Sequence, residues 1–115
     1  MASQLRNYLR SYRKRAGFSQ AEIAFLFGAE NPAKVSRYEH AHRQPSLRTV
    51  LAYEAVFRVP SRDLFAGAFR ETKRMIQKRA AILLKKLVAQ ERQNLRTLRK
   101  VEMLKAIAET KFDDK

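Results

Sequence analysis

Apolar residues recur at three- and four-residue spacing along most of this chain, the period of a helix with one buried face. Leu5, Tyr8, Leu9 and Tyr12 predict a helix over about 3–16, with Gly17 as its stop. Ser19 followed by Glu22 is a capping box, in which the hydroxyl accepts an orphan N–H and the carboxylate reaches back. A second helix then runs to about Phe27, with Ile23, Leu26 and Phe27 on one face and Gly28 ending it. Asn31-Pro32 predicts a third start, an N-cap followed by proline at the first helical position, and that helix ends near His40. Pro45-Ser46 opens a fourth, with Leu47, Val50, Leu51 and Ala52 apolar. Ser61 is expected to cap a short fifth helix carrying Leu64 and Phe65, with Asp63 near its positive end.

The three prolines and three glycines all lie at or before Gly67. Nothing beyond it forbids a helix. Met75, Ile76, Leu83, Leu84, Leu87 and Val88 form one apolar stripe. Leu95, Leu98, Val101, Leu104, Ile107 and Ala108 form another. Ala89–Asn94 between them has no large apolar residue, so the pattern fits one long helix or two turning near Gln93-Asn94. The repeat is too irregular for a regular coiled coil. Asp113-Asp114-Lys115 should fray. The fold class expected is all-α, with a five-helix domain over 1–67 followed by a helical extension over 68–115.

Charge sharpens this picture. The 115 residues carry a formal net charge of +14, a self-repulsion that no fold requires. Residues 1–67 hold 11 Lys/Arg against 5 Asp/Glu, and residues 68–115 hold 14 against 6. A polyanionic partner is the simplest explanation. With no cysteine, disulfides, thiolate zinc sites and cysteine nucleophiles are excluded. The N-terminal stretch lacks the apolar core of a secretory signal, and the longest apolar runs, such as Ala80–Leu84, are far too short to span a bilayer. The expectation is a cytoplasmic protein with no membrane partner.

Two helices joined by a short turn, the second opening on small or polar residues, form the DNA-binding helix-turn-helix arrangement. The major groove admits a helix, so exposed residues of the second helix reach base edges, and donors at the start of the first reach phosphate. Ser19 and Gln20 supply such donors. The residues Arg13-x-x-x-Gly17-Phe18-Ser19-Gln20-x-x-Ile23-Ala24, then Val35-Ser36-Arg37-Tyr38-Glu39, then Arg43-x-Pro45-Ser46-Leu47, resemble the lambda-repressor-like helix-turn-helix family, also called the Cro or xenobiotic-response-element type. The resemblance covers about residues 3–66. It implies a homodimeric transcriptional regulator, a repressor, that binds a palindromic operator on double-stranded DNA with helix 32–39 in the major groove. It also implies base contacts from Ala33, Lys34 and Arg37, and phosphate contacts from Ser19, Gln20, Asn31 and Arg43. Arg13 and Glu39 match a structural ion pair of some members, and Val35 and Tyr38 match core positions. Two features depart from the family pattern. The stretch from Gly28 to Val35 is one residue longer than the commonest spacing. His40-Ala41-His42 also lacks the glycine that often ends the third helix, and because Ala41 resists a left-handed conformation the loop is expected to take another path.

Other chemistry finds little footing. His40 and His42, two residues apart, do not share a helix face, so no metal site is expected. Tyr8, Tyr12, Phe25, Phe27 and Phe57 read as core rather than as base-stacking platforms. No Ser/His/Asp grouping or Gly-rich phosphate loop suggests an enzyme, and no cofactor is expected. The basic tail is read as a dimerisation element with Leu84 and Leu87 in the interface. Two other readings stay open. In one, the chain is the antitoxin of a toxin–antitoxin pair, with the tail blocking a toxin protein and DNA binding serving autoregulation. In the other, Lys85-Lys86, Arg92, Arg96 and Arg99-Lys100 clamp nucleic acid without reading its sequence.

Overall fold

The computed structural model describes residues 7–90 and 94–109. Every regular element among them is a helix: α1 Leu9–Ala16, α2 Gln20–Leu26, α3 Ala33–Glu39, α4 Leu47–Phe57, α5 Ser61–Leu64, α6 Ala66–Ala89 and α7 Leu95–Glu109. The chain divides into two compact units, Met1–Phe69 and Arg70–Lys115, with the boundary inside α6. The expected helical start at residues 3–6, with Leu5, lies outside the described residues. So do Arg92, Gln93 and residues 113–115. No helix among the described residues is long and apolar enough to cross a membrane.

In the first unit one core joins all five short helices. Leu9, Ile23, Ala24, Val35, Tyr38, Tyr53 and Leu64 are buried, with Tyr12, Phe18, Phe27, Val56, Phe57, Val59 and Phe65 packed around them. Tyr53 of α4 stands at the centre. The rings of Phe27, Tyr38 and Phe65 meet it edge-on, with the closest centroid, that of Phe27, 4.7 Å away. Such edge-to-face pairs add to the area that aromatic rings bury.

The helix boundaries follow local chemistry. Ser19 Oγ accepts the Glu22 N–H (3.0 Å) while Glu22 Oε1 accepts the Ser19 N–H (2.8 Å), the reciprocal capping box anticipated from the sequence. Ser46 Oγ caps α4 through the Thr49 N–H. One kind of stop ends α1, α2 and α3. The N–H groups of Gly17 and Phe18 donate to the Lys14 and Arg13 carbonyls, those of Gly28 and Ala29 to Phe25 and Ala24, and those of Ala41 and His42 to Tyr38 and Arg37. This is the Schellman pattern, which needs a left-handed residue after the helix. Gly17 (φ 86°), Gly28 (φ 75°) and Ala41 (φ 58°) supply it.

Several expectations are corrected. Ala41 takes the left-handed conformation it was expected to resist, because two helix-end hydrogen bonds hold it there. Residue 8 precedes α1 rather than lying in it, and α3 starts at Ala33, one residue after the expected position. Asn31 still serves that start from one position further back, its Oδ1 accepting the Ala33 N–H (3.0 Å). Ser61 does not cap α5 with its side chain. Instead its N–H donates to Glu54 Oε1 of α4 (2.8 Å), so a neighbouring helix provides the cap. Phe25 is 81% exposed and Tyr8 52%, so neither is core. α2 turns only Ile23 and Ala24 fully inward, and Phe25 and Leu26 point away from them.

In the second unit the long helical stretch is broken rather than continuous. Asn94 Oδ1 accepts the Thr97 N–H (2.9 Å), so an asparagine cap opens α7 without any glycine or proline. Gln77 Nε2 donates to the Ile107 carbonyl (3.2 Å), which ties α7 back onto α6. Ala80 is buried, and Gln77, Leu84 and Leu87 beside it are half-buried, as are Val101, Leu104, Ile107 and Ala108 of α7. The stripes predicted from the sequence are therefore partly covered within the chain. Met75, Ile76, Ile82, Leu83, Val88, Leu95, Leu98 and Met103 stay exposed.

Candidate nucleic-acid interface

α3 is anchored on one side and open on the other. Val35 and Tyr38 are buried, three residues apart on the inner face. The positions turned away from them are Ala33, Ser36, Arg37 and His40, whose spacing of three and four residues makes one ridge along the helix. Ala33, Lys34 and Arg37 are all exposed, with Lys34 on the flank of that ridge.

The angle of α3 is set by a charged lock. Arg13 of α1 is buried, and its Nε–H donates to Glu39 Oε2 (2.6 Å) while its second terminal nitrogen donates to Glu39 Oε1 (3.1 Å). The remaining terminal nitrogen donates to the Phe18 carbonyl (3.0 Å) in the link between α1 and α2. The hydrogen bond to Glu39 holds the guanidinium above its ordinary range, with burial pulling the other way. Gln20 at the start of α2 donates to the same Glu39 Oε1 (3.1 Å). One carboxylate thus joins α1, α2 and the end of α3. A bidentate pair fixes orientation as well as distance.

The flanking residues keep donors available. Ser19 uses its oxygen as an acceptor in the capping box, which leaves the hydroxyl hydrogen. Gln20 has two amide hydrogens, and the Glu39 contact uses one. Asn31 caps through its carbonyl oxygen, so its amide group remains. Arg43 is exposed in the loop beyond the left-handed turn. Asn7 adds a further tie, donating to the Tyr38 carbonyl (2.8 Å).

Sequence reasoning missed Ser36 and His40 on the open ridge. His40 Nδ1 lies 2.8 Å from the Ser36 carbonyl, and the His40 and His42 rings stack with centroids 5.7 Å apart. The signal was present, since positions 33, 36, 37 and 40 repeat at helical spacing opposite Val35 and Tyr38. Among the described residues, no cluster of three or more His, Cys, Asp or Glu side chains is placed to hold a metal ion.

A short helix pinned by its neighbours, with the helix before it packed against it and an open ridge on its other side, has the arrangement of a helix-turn-helix DNA-binding domain. The family model described as Helix-turn-helix matches residues 9–64. That match supports a DNA-binding helix-turn-helix regulator of the lambda-repressor-like type, with residues 9–64 as its helix-turn-helix domain. No curated protein and no solved structure matches the chain.

Proposed function

We propose that this protein is a sequence-specific repressor that binds a palindromic operator as a homodimer, with α3 of each copy in the major groove. Residues 1–67 read DNA and residues 68–115 supply dimer contacts. The observation that carries the reading is the exposure of Arg37 on a helix whose opposite face is buried through Val35 and Tyr38. A guanidinium so held offers guanine two parallel hydrogen bonds. Ala33 and Lys34 read neighbouring bases, and Ser19, Gln20, Asn31 and Arg43 contact phosphate on either side. Occupancy of the operator blocks transcription.

The dimer reading rests on uncovered apolar surface. Reading helices of such dimers sit about 34 Å apart, one turn of DNA. Leu84 and Leu87 are half-buried within the chain, whereas Ile76 and Leu83 on the same helix are 44% and 46% exposed. A second copy covers the exposed pair and extends onto Leu84 and Leu87. Selection of duplexes from a random pool by the purified protein tests the whole reading. It should enrich one motif with twofold symmetry. Enrichment of no motif would leave only sequence-independent binding.

A further inference from the structure

The open ridge of α3 ends at His40, an exposed residue whose ring is fixed by the helix end. The Ser36 carbonyl accepts the His40 backbone N–H (3.0 Å) and also lies 2.8 Å from His40 Nδ1. A carbonyl oxygen only accepts, and it has two lone pairs, so Nδ1 carries the hydrogen in this contact. Ser36 Oγ stands 3.5 Å from the same nitrogen. In the neutral ring Nε2 is then the bare nitrogen, an acceptor on the far side of the ring from the carbonyl. Protonation turns Nε2 into a donor and gives the ring a positive charge.

The charges around this ring are mostly positive. His42 stacks on it, with centroids 5.7 Å apart. Lys34 and Arg37 of α3 and Arg43 of the following loop are exposed. Of the helices packed on α3, α1 brings Arg13 and carries Arg10, Lys14 and Arg15, and α2 brings Gln20 and carries Glu22. Glu39, next to His40 in the chain, gives its carboxylate to Arg13 and Gln20. Glu22 is held in the capping box of α2. No carboxylate among the described residues pairs with His40. A charged imidazole here therefore needs its anion from another molecule.

The first residues of a reading helix are the ones that reach base edges. His40 stands at the other end of α3 from Ala33, about 10 Å along the axis at 1.5 Å per residue. The DNA group that suits that end is a backbone phosphate, whose oxygens only accept. We propose that His40 contacts a phosphate through Nε2 in its protonated form alone, so that DNA binding takes up a proton. The proposal rests on the DNA-binding reading of α3 above. Its sign follows from linkage. The complex favours the protonated ring, so affinity is greatest at low pH and declines as pH rises through the range in which imidazole loses its proton.

The test is binding of the full chain to an arbitrary-sequence duplex, measured by fluorescence anisotropy at about pH 6 and about pH 8 and one salt concentration. Uptake of a single proton should make affinity roughly three- to tenfold higher at the lower pH. His40→Gln should bind at both pH values about as the unmodified protein binds at the higher one. His40→Arg, charged throughout, should lose the pH dependence but keep the stronger binding. His42→Gln should keep the dependence. The pH effect should be equal on a selected operator, because a phosphate contact carries no sequence information. Circular dichroism at both pH values checks that each variant is folded. Equal affinities of the unmodified protein at the two pH values would overturn the proposal. So would a dependence that survives His40→Gln and disappears in His42→Gln, or one confined to the selected operator. Binding that ignores pH leaves the DNA-binding reading standing, whereas failure of the unmodified protein to bind any duplex overturns both.

Discussion

Glu39, the last residue of α3, holds the buried Arg13 of α1 through both carboxylate oxygens, with heavy-atom separations of 2.6 and 3.1 Å. Both side chains are nearly closed to solvent, at 10% and 1% exposure. Removing one partner therefore leaves an uncompensated charge inside, which typically costs about 3–5 kcal/mol, against under about 1 kcal/mol for an exposed pair. Glu39→Ala should lower the melting temperature of the first unit by roughly 10 °C or more, at about 4–8 °C per kcal/mol for a domain of this size. Thermal unfolding followed by circular dichroism measures it. A shift of a degree or two would mean that the pair contributes no more than a surface contact.

Among the left-handed residues that end α1, α2 and α3, Ala41 should be the weak member. A residue with a Cβ at positive φ loses about 1–2 kcal/mol, and glycine does not. Ala41→Gly should therefore raise the melting temperature, by about 4–8 °C if 1 kcal/mol is recovered. The greater freedom of glycine in the unfolded chain offsets part of this gain. A lower melting temperature would show that the Ala41 methyl makes packing contacts worth more than the relieved strain.

Tyr53 offers a second stabilising change. Its ring anchors the core, but its hydroxyl oxygen is buried with no hydrogen-bond partner among the described residues. Burial pushes the phenol well above its ordinary range, and the neighbouring Glu39 and Tyr38 add to this while Arg13 opposes it. A buried polar group without a partner costs about 1–3 kcal/mol. Tyr53→Phe keeps the ring contacts and should be neutral or stabilising by about 1 kcal/mol in a urea titration. A loss above 1 kcal/mol would mean that the hydroxyl has a partner in solution.

Features governed by neighbours in sequence were legible. The Ser19–Glu22 box and the stops at Gly17 and Gly28 depend on a few adjacent residues, and they stand where the pattern put them. Features governed by contacts across the fold were not. Nothing local says that Glu54 of α4 accepts the first N–H of α5. The exposure of Phe25 depends on which two residues of α2 meet the core, and seven residues are too few for periodicity to decide that. Ala41 was misread because propensity was weighed without the two hydrogen bonds that override it. In the basic half the sequence left open one helix or two turning near Gln93-Asn94, and the structure has two, with Asn94 capping the second. The open ridge was half legible: Ala33 and Arg37 were singled out, and Ser36 and His40 on the same side were not.

The dimer reading makes its own prediction. Ile76→Ser/Leu83→Ser removes exposed apolar surface on α6 and leaves buried Ala80 in place. The variant should be monomeric in light scattering after size exclusion, with the first unit still folded, and should bind a two-half-site duplex more weakly because the half-sites act independently. Unmodified protein that is already monomeric at tens of micromolar, about the range in which a stable dimer persists, would contradict it.

The central claim is that α3 reads bases through Arg37, and base-by-base discrimination measures this most directly. Affinities of unmodified protein and Arg37→Ala are compared on the selected operator and on its single-base variants. A bidentate arginine–guanine contact is worth about 1–3 kcal/mol of discrimination. The account predicts that Arg37→Ala loses preference at one symmetric position of each half-site by that amount, keeps its other preferences, and melts at the temperature of the unmodified protein. Identical discrimination at every position by the two proteins would contradict it.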